Sequence, residues 1–215
     1  MTTSDPRRRH AGSYPLRVTQ SGSYYDAEAA VYDESRGGVA RGRAAAAAVA
    51  ELVPAGGTLV DVAGGTGIVS AELGRLGWSV VVVDTSAGML EVAAGRLPGR
   101  VLRTSGERLP LRDGSVDAVL SVWLLHLLDV ATADRVVAEA ARVLRPGGHF
   151  MTTVDKDLAH GRPPRRPSDN RDRLELVARR GGLSFVGATS FSGRSTWGSA
   201  TGGDPVFPLV AFRKA

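Results

Sequence analysis

Apolar positions along the chain fall into short clusters separated by longer amphipathic stretches, and the alternation holds from about residue 58 to residue 155. TLVDVA (58–63) is too brief for a globular helix and reads as a buried strand. A helix at 66–76 follows and stops at Gly77. SVVVVD (79–84) predicts a second strand with a helix at about 86–96 behind it, and RVLRT (100–104) predicts a third that leads into a loop. SVDAVLSV (115–122) gives a fourth strand and then a helix at about 131–145, which Pro146–Gly147–Gly148 breaks before a fifth strand, HFMTTVD (149–155). Short apolar strands spaced by helices imply βαβ units and a parallel sheet covered on both faces. Such a sheet crosses over right-handed and binds ligands beyond the carboxyl ends of its strands.

The flanks carry a weaker signal. Residues 1–21 mix Pro, Arg, Ser and Gly and read as a mobile basic arm, while helical patterns run from Tyr24 to Glu34 and from about Val39 to Val53. KDLAHGRPPRRPSDN (156–170) breaks the rhythm with three prolines and predicts a loop or lid, followed by a helix at about 169–181 and a strand at 183–191. In the last segment, PVFPLVAFRK, Pro208 demotes the strand to a sheet edge or shortens it to 209–213. The expectation is a doubly wound, Rossmann-like α/β fold: a seven-stranded, mostly parallel sheet with helices on both faces, formed by one domain over residues 22–215.

Composition narrows the function classes. With 43% hydrophobic and 23% charged residues, the chain is ordinary for a globular protein, and no apolar run reaches the ~18 residues that span a bilayer. The N-terminus lacks the apolar stretch of a signal peptide, so a soluble, cytoplasmic protein without a membrane partner is expected. No cysteine is present, and four scattered histidines offer no i,i+4 pair, so no metal site is expected. The net charge of +5 suggests nucleic acid until its distribution is considered. Four Arg against one Asp lie in residues 1–18, and one Lys with seven Arg against four acids lie in 156–180, which leaves the remainder slightly acidic. The basic excess belongs to an arm and a loop, which argues against a nucleic-acid-binding face.

LVDVAGGTGIVS (59–70) carries the most chemistry: a strand holding Asp61, then Gly64, Gly65 and Gly67 that allow close approach of backbone to a ligand, then a helix. A bare tight turn is the plain alternative. A dinucleotide fingerprint would put its third small residue at Ser70 and a pyrophosphate at the helix start, which the carboxylate at 61 would repel. A ligand carrying an ammonium or sulfonium suits that acid better. Asp84, ending the next strand, can accept from both hydroxyls of a ribose, a requirement shared by nicotinamide and other adenosine ligands.

The string DVAGGTG, then VVVVDTSAGML, then GERLPLRDGSVDAVLSVWLLHLLD, then ARVLRPGGHF resembles class I S-adenosylmethionine-dependent methyltransferases. It is most similar to the small-molecule branch that includes the ubiquinone/menaquinone C-methyltransferases, whose YD-x-x-A-x-x-YD opening resembles SYYDAEAAVYDESR. The resemblance covers about residues 22–155. It implies S-adenosyl-L-methionine as cofactor, with Asp61, Ala63, Gly64, Gly65 and Gly67 around its methionine end. Asp84 would take the ribose, Thr85 and Met89 would flank the adenosine, and Tyr24 and Tyr32 would close over it. Ser105, Gly106 and Glu107 occupy the family's adenine-contacting positions, Ser105 standing where the family has Asp. Ser121 to Trp123 would run past the sulfonium, with Trp123 and Leu124 as lining.

The implied activity is in-line transfer of a methyl group to O, N or C of a small-molecule acceptor, possible in specialised metabolism. His126, Asp155 and His160, with Lys156, lie where an acceptor would be contacted, His126 as a general base or as a helix-start packing residue. Arg162, Arg165 and Arg166 are either a solvated loop or a clamp for an acidic acceptor. Apolar rings in the pocket would indicate an aromatic or quinone acceptor, and convergent Arg an acid. A nicotinamide-dependent oxidoreductase, a non-catalytic S-adenosylmethionine-binding protein and an RNA or protein methyltransferase remain as alternatives.

Overall fold

The computed structural model describes residues 22–194 and 203–215, so the expected basic arm at 1–21 lies outside the described residues. Seven strands form one sheet: β1 (Thr58–Val62), β2 (Ser79–Asp84), β3 (Val101–Arg103), β4 (Val116–Ser121), β5 (Leu144–Thr153), β6 (Leu183–Ser192) and β7 (Val206–Lys214). Their order is β3-β2-β1-β4-β5-β7-β6. β1 to β5 pair in parallel, whereas β7 runs antiparallel between β5 and β6. Strand order reverses between β1 and β4, the switch point beyond which ligands bind in open α/β sheets.

Eight α-helices and a 3-10 turn at Leu125–Leu127 accompany the sheet among the described residues: α1 (Gly22–Glu28), α2 (Tyr32–Ser35), α3 (Gly38–Leu52), α4 (Ile68–Arg75), α5 (Ala87–Arg96), α6 (Val130–Val143), α7 (Lys156–Ala159) and α8 (Arg171–Arg180). Side chains start several of them. Asp129 accepts from Thr132 N at the start of α6, Asn170 from Arg173 N at α8, and Ser86 Oγ from Met89 N at α5. The two-residue period of the strands sorts the core into layers. Val60, Val119, Phe150 and Val210 meet the apolar faces of α6 and α8 on one side. Leu59, Leu120, Met151 and Leu209 meet α3 and α4 on the other.

Three features differ from the pattern-based expectation. The helix expected over Tyr24–Glu34 is broken by a turn at residues 29–31 into α1 and α2. β5 starts at Leu144 and passes through the Pro146–Gly147–Gly148 breaker. Pairing with β4 slips between Val116 and Ala118, and this irregularity absorbs the Pro-Gly-Gly bend. Pro208 is neither at a sheet edge nor the end of its strand, because β7 runs through it and is flanked on both sides. The Pro208 carbonyl accepts from Val154 N at 3.1 Å, so its ring nitrogen faces the same way, just past the last β5–β7 pair, Thr153–Leu209. The missing N–H therefore falls where pairing with β5 is ending, which limits the cost of a proline in an interior strand.

The layered core makes β5 sensitive to truncation. Phe150 is fully buried and stacks on Phe212 with ring centroids 6.2 Å apart. Phe150→Ala should cost about 3–5 kcal/mol, read from the urea midpoint at unchanged slope; a loss below about 1 kcal/mol would mean that the layer is loosely packed.

Candidate active site

A cavity of about 500 Å³ opens at the carboxyl ends of β1, β2 and β4 and continues beneath α1, α2 and α7. Among the described residues, three non-glycine residues have positive φ, and each follows one of these parallel strands: Ala63 (57°) after β1, Trp123 (60°) after β4 and Asp155 (49°) after β5. Left-handed backbone is unfavourable for side-chain-bearing residues and persists where surrounding structure holds it, commonly at functional sites. Trp123 is held by its own backbone N–H, which donates to Thr153 Oγ1 at 2.8 Å.

The glycine turn is fixed from the neighbouring strand. Gly64 N donates to Val83 O at 3.2 Å and Gly65 N to Asp84 Oδ2 at 3.0 Å. A Cβ at Gly64 would stand 2.8 Å from the Asp61 carboxyl and 3.0 Å from Val82, so only glycine fits that close approach. Gly67, at φ 71°, begins α4 behind the turn.

Two carboxyl groups border this turn. Asp61 is 2% exposed and accepts from Ser70 Oγ, a hydroxyl on α4. Burial pushes its pKa up to about 7; the Ser70 bond opposes the shift and the neighbouring Asp84 adds to it. Asp84 accepts from Gly65 N and, at 2.9 Å, from Ser86 N, and burial also raises its pKa. Neither carboxyl has an ion-pair partner among the described residues.

Two aspartates of the N-terminal helices tie a cover over the turn. Asp26 Oδ1 accepts from Ser86 Oγ at 2.5 Å and from Gly88 N at 2.8 Å, docking α1 on the start of α5. Asp33 accepts from Thr66 Oγ1 at 2.6 Å and pairs with Arg96 at 2.6 Å, docking α2 on the glycine turn. Both Tyr-Asp pairs thus split the work: the acid anchors and the ring next to it lines the cavity. The lining tyrosines are Tyr25 and Tyr32, packed edge to face 6.3 Å apart. Tyr24, expected to close over the cofactor, is 42% exposed and outside the wall.

Of the other expected cofactor contacts, Asp61, Ala63, Gly64, Gly65, Asp84, Thr85 and Met89 line the cavity. Ser105, Gly106, Glu107, Ser121 and Gly67 do not. Glu107 is engaged by Arg135 at 2.6 Å, and a Cβ at Gly106 would lie 2.4 Å from Val62 Cγ1, so this loop backs onto β1. Ser121 is fully buried within β4.

The far half of the cavity holds His126, Lys156 and His160, with Trp123, Leu124, Leu127 and Phe207. His126 Nε2 lies 2.6 Å from Lys156 Nζ. Burial, followed by the charge of Lys156, holds the imidazole pKa well below its usual value, so the ring is neutral and shares a hydrogen bond with the Lys156 amine. Burial, with Arg41 and Arg36 nearby, lowers Lys156 to about 7. His160 is 6% exposed and packs edge-on against Phe207. Asp155 points elsewhere: its carboxylate accepts from Arg171 N at 3.3 Å and Asn170 Nδ2 at 3.5 Å, outside the wall.

Sequence reasoning missed Tyr25, Asp26, Asp33, Arg36, Arg41 and Phe207. The repeated Tyr-Asp pair was the available signal for the first three; the others are brought in by tertiary packing alone. Among the described residues no helix is long and apolar enough to cross a membrane, and no group of three or more His, Asp or Glu could hold a metal.

The raised pKa of Asp61 makes stability depend on pH in a definite direction. The folded chain keeps that proton where the unfolded chain has lost it, so the contribution is complete below about pH 4 and disappears as pH rises through 7. Asp61→Asn should flatten the fall in melting temperature of the ligand-free protein across that window, followed by circular dichroism. An unchanged slope would show that the carboxyl is solvated.

Comparison with known proteins agrees with this arrangement. Residues 60–152 match a family described as the methyltransferase domain. An uncharacterized methyltransferase of Mycobacterium tuberculosis is 44% identical over 101 residues, covering 46% of this chain and 40% of that protein. A ubiquinone/menaquinone biosynthesis C-methyltransferase of Acidiphilium cryptum is 42% identical over 103 residues, covering 44% and 40%. The matched segment is therefore less than half the length of these relatives. A Thermotoga maritima structure described as an S-adenosylmethionine-dependent methyltransferase, possible histamine N-methyltransferase, superposes with a TM-score of 0.66 over 91% of this chain and 100% of that one, at 20% identity. The match over residues 60–152 and the seven-stranded sheet with antiparallel β7 make this segment similar in sequence, and the chain similar in fold, to S-adenosylmethionine-dependent methyltransferases.

Proposed function

We propose that this chain transfers the methyl group of S-adenosylmethionine to O, N or C of a small-molecule acceptor, with residues 22–155 serving the cofactor and 156–170 the acceptor. The observation that carries this reading is the buried Asp61 with the half-buried Asp84, beside a backbone cradle too tight for any side chain at residue 64. Unpaired acids in a low-dielectric wall favour a cationic, hydroxyl-bearing ligand and disfavour a diphosphate. Asp61, Ala63, Gly64 and Gly65 would hold the methionine end, Asp84 the ribose, and Thr85 and Met89 the adenosine, under Tyr25 and Tyr32.

When bound, the cofactor supplies a methyl group on a good leaving group, which leaves the protein to place the acceptor in line and exclude water. The rings and aliphatic side chains of the far half, Trp123, Leu124, Leu127 and Phe207, suit both tasks. His126, neutral and walled in, is available to take a proton from an acceptor that must lose one. His160 is a second candidate contact. Asp155 is not, since its carboxylate is turned towards α8.

Calorimetry separates this reading from a nicotinamide enzyme. S-adenosylmethionine and S-adenosylhomocysteine should bind and NADH should not. Asp84→Ala should weaken S-adenosylhomocysteine binding ~10-fold or more, because a charge-assisted contact is lost. Binding of NADH in preference to the sulfonium would overturn the proposal, and release of intact cofactor with every acceptor tried would favour a non-catalytic binder.

A further inference from the structure

The cavity contains more positive charge than the cofactor can neutralise. Arg36, Arg41, Lys156 and Arg166 all line it, and none has an ion-pair partner among the described residues. By contrast Arg165, from the expected clamp, pairs with Asp157 at 2.9 Å. Of the acids on this side, Asp157 holds Arg165 and Asp169 accepts from the backbone N–H of Lys156 at 2.8 Å; these two carboxylates are fewer than the cations that line the cavity with them. S-adenosylmethionine brings one carboxylate, enough for one of the four cations.

Arg41 is held in place without a counter-charge. Its guanidinium carbon sits 3.5 Å from the centroid of the Trp123 ring and 5.7 Å from that of Phe207, and Nη1 donates to Arg36 O at 3.3 Å. Among the described residues its Nε, like Arg36 Nε and Trp123 Nε1, is buried with no hydrogen-bond partner. A stacked, preordered guanidinium loses little entropy on meeting a ligand, and a buried cation with unmet donors is stabilised most by an oxyanion. Burial and then the charge of Arg41 disfavour the charged form of Lys156, and burial is also the main cause that lowers Arg41. Around them stand aromatic and apolar side chains, so the room left is for an apolar body with an acidic head.

Building on the methyl-transfer reading, we propose that the acceptor is an aromatic or otherwise apolar acid whose carboxylate or phosphate seats against Arg41 and Lys156, with Arg166 closing the far side. The anion orients the acceptor, and the Lys156–His126 contact carries its charge to the imidazole beside it. Arg41 and Lys156 are specificity residues in this scheme.

The test uses protein saturated with S-adenosylhomocysteine, so that the cofactor's own carboxylate is already in place, titrated calorimetrically near neutral pH with benzoate, phenyl phosphate and benzamide. At least one acid should bind ~10-fold or more tightly than the neutral amide. Arg41→Gln and Lys156→Met should each reduce that preference about fivefold or more while leaving S-adenosylhomocysteine affinity within about twofold, which also shows that the variants are folded. Whichever acid binds better distinguishes carboxylate from phosphate. Benzamide binding as well as both acids, no binding of either acid by ~10 mM, or variants that keep the full preference would overturn the proposal. Should S-adenosylhomocysteine fail to bind, the methyl-transfer reading fails, and the same titrations on the bare protein still decide the acidic-acceptor site.

Discussion

Two acids with no ion-pair partner among the described residues, set at the ends of neighbouring parallel strands, dictate the organisation around them. Burying a carboxyl without a counter-charge is costly, and Asp61 responds by holding its proton to near neutrality. The fold tolerates this because Ser70 on α4 and the backbone of Gly65 and Ser86 satisfy part of each group. What remains unsatisfied defines the ligand as one that brings positive charge and hydroxyls. The same bonds that satisfy Asp84 lace the glycine turn to β2, so the geometry of the cradle and its electrostatics share one cause.

Strain and anchoring follow from that placement. Ala63, Trp123 and Asp155 each take a left-handed conformation where a parallel strand hands over to the ligand-facing loops. Trp123 is thereby turned so that its indole supports Arg41. Asp26 and Asp33 fasten the covering helices to α5 and to Thr66, so the roof of the cavity is tied to the same turn that forms its floor. One end of the cavity is acidic and the other basic, as suits a cationic donor meeting an anionic acceptor.

The order of strands and helices was legible because alternation of short apolar runs with amphipathic ones is set by burial of a parallel sheet on both faces. The glycine turn, Asp61 and Asp84 were legible for the same reason: strand ends are readable, and ligands gather at them. Pro208 misled, since a residue's tolerance for a missing N–H depends on where its neighbour strand stops, which no local pattern records. Tyr24 and Tyr25 are adjacent and chemically identical, and only the docking of Asp26 determines which ring faces inward. Glu107 was drawn away by Arg135, 28 positions along the chain. Arg41 sits in an alanine-rich helix, and its contact with Trp123 exists only in three dimensions.

The central claim, that a ligand cation compensates Asp61, is tested most directly by counting protons. S-adenosylmethionine binding to wild type and to Asp61→Asn should be measured calorimetrically at about pH 7 in buffers of different ionisation enthalpy, since half-titrated groups report there. The account predicts that the wild type releases a fraction of a proton more than the variant, as the buried carboxyl ionises against the incoming charge. Equal proton release by the two proteins would contradict it.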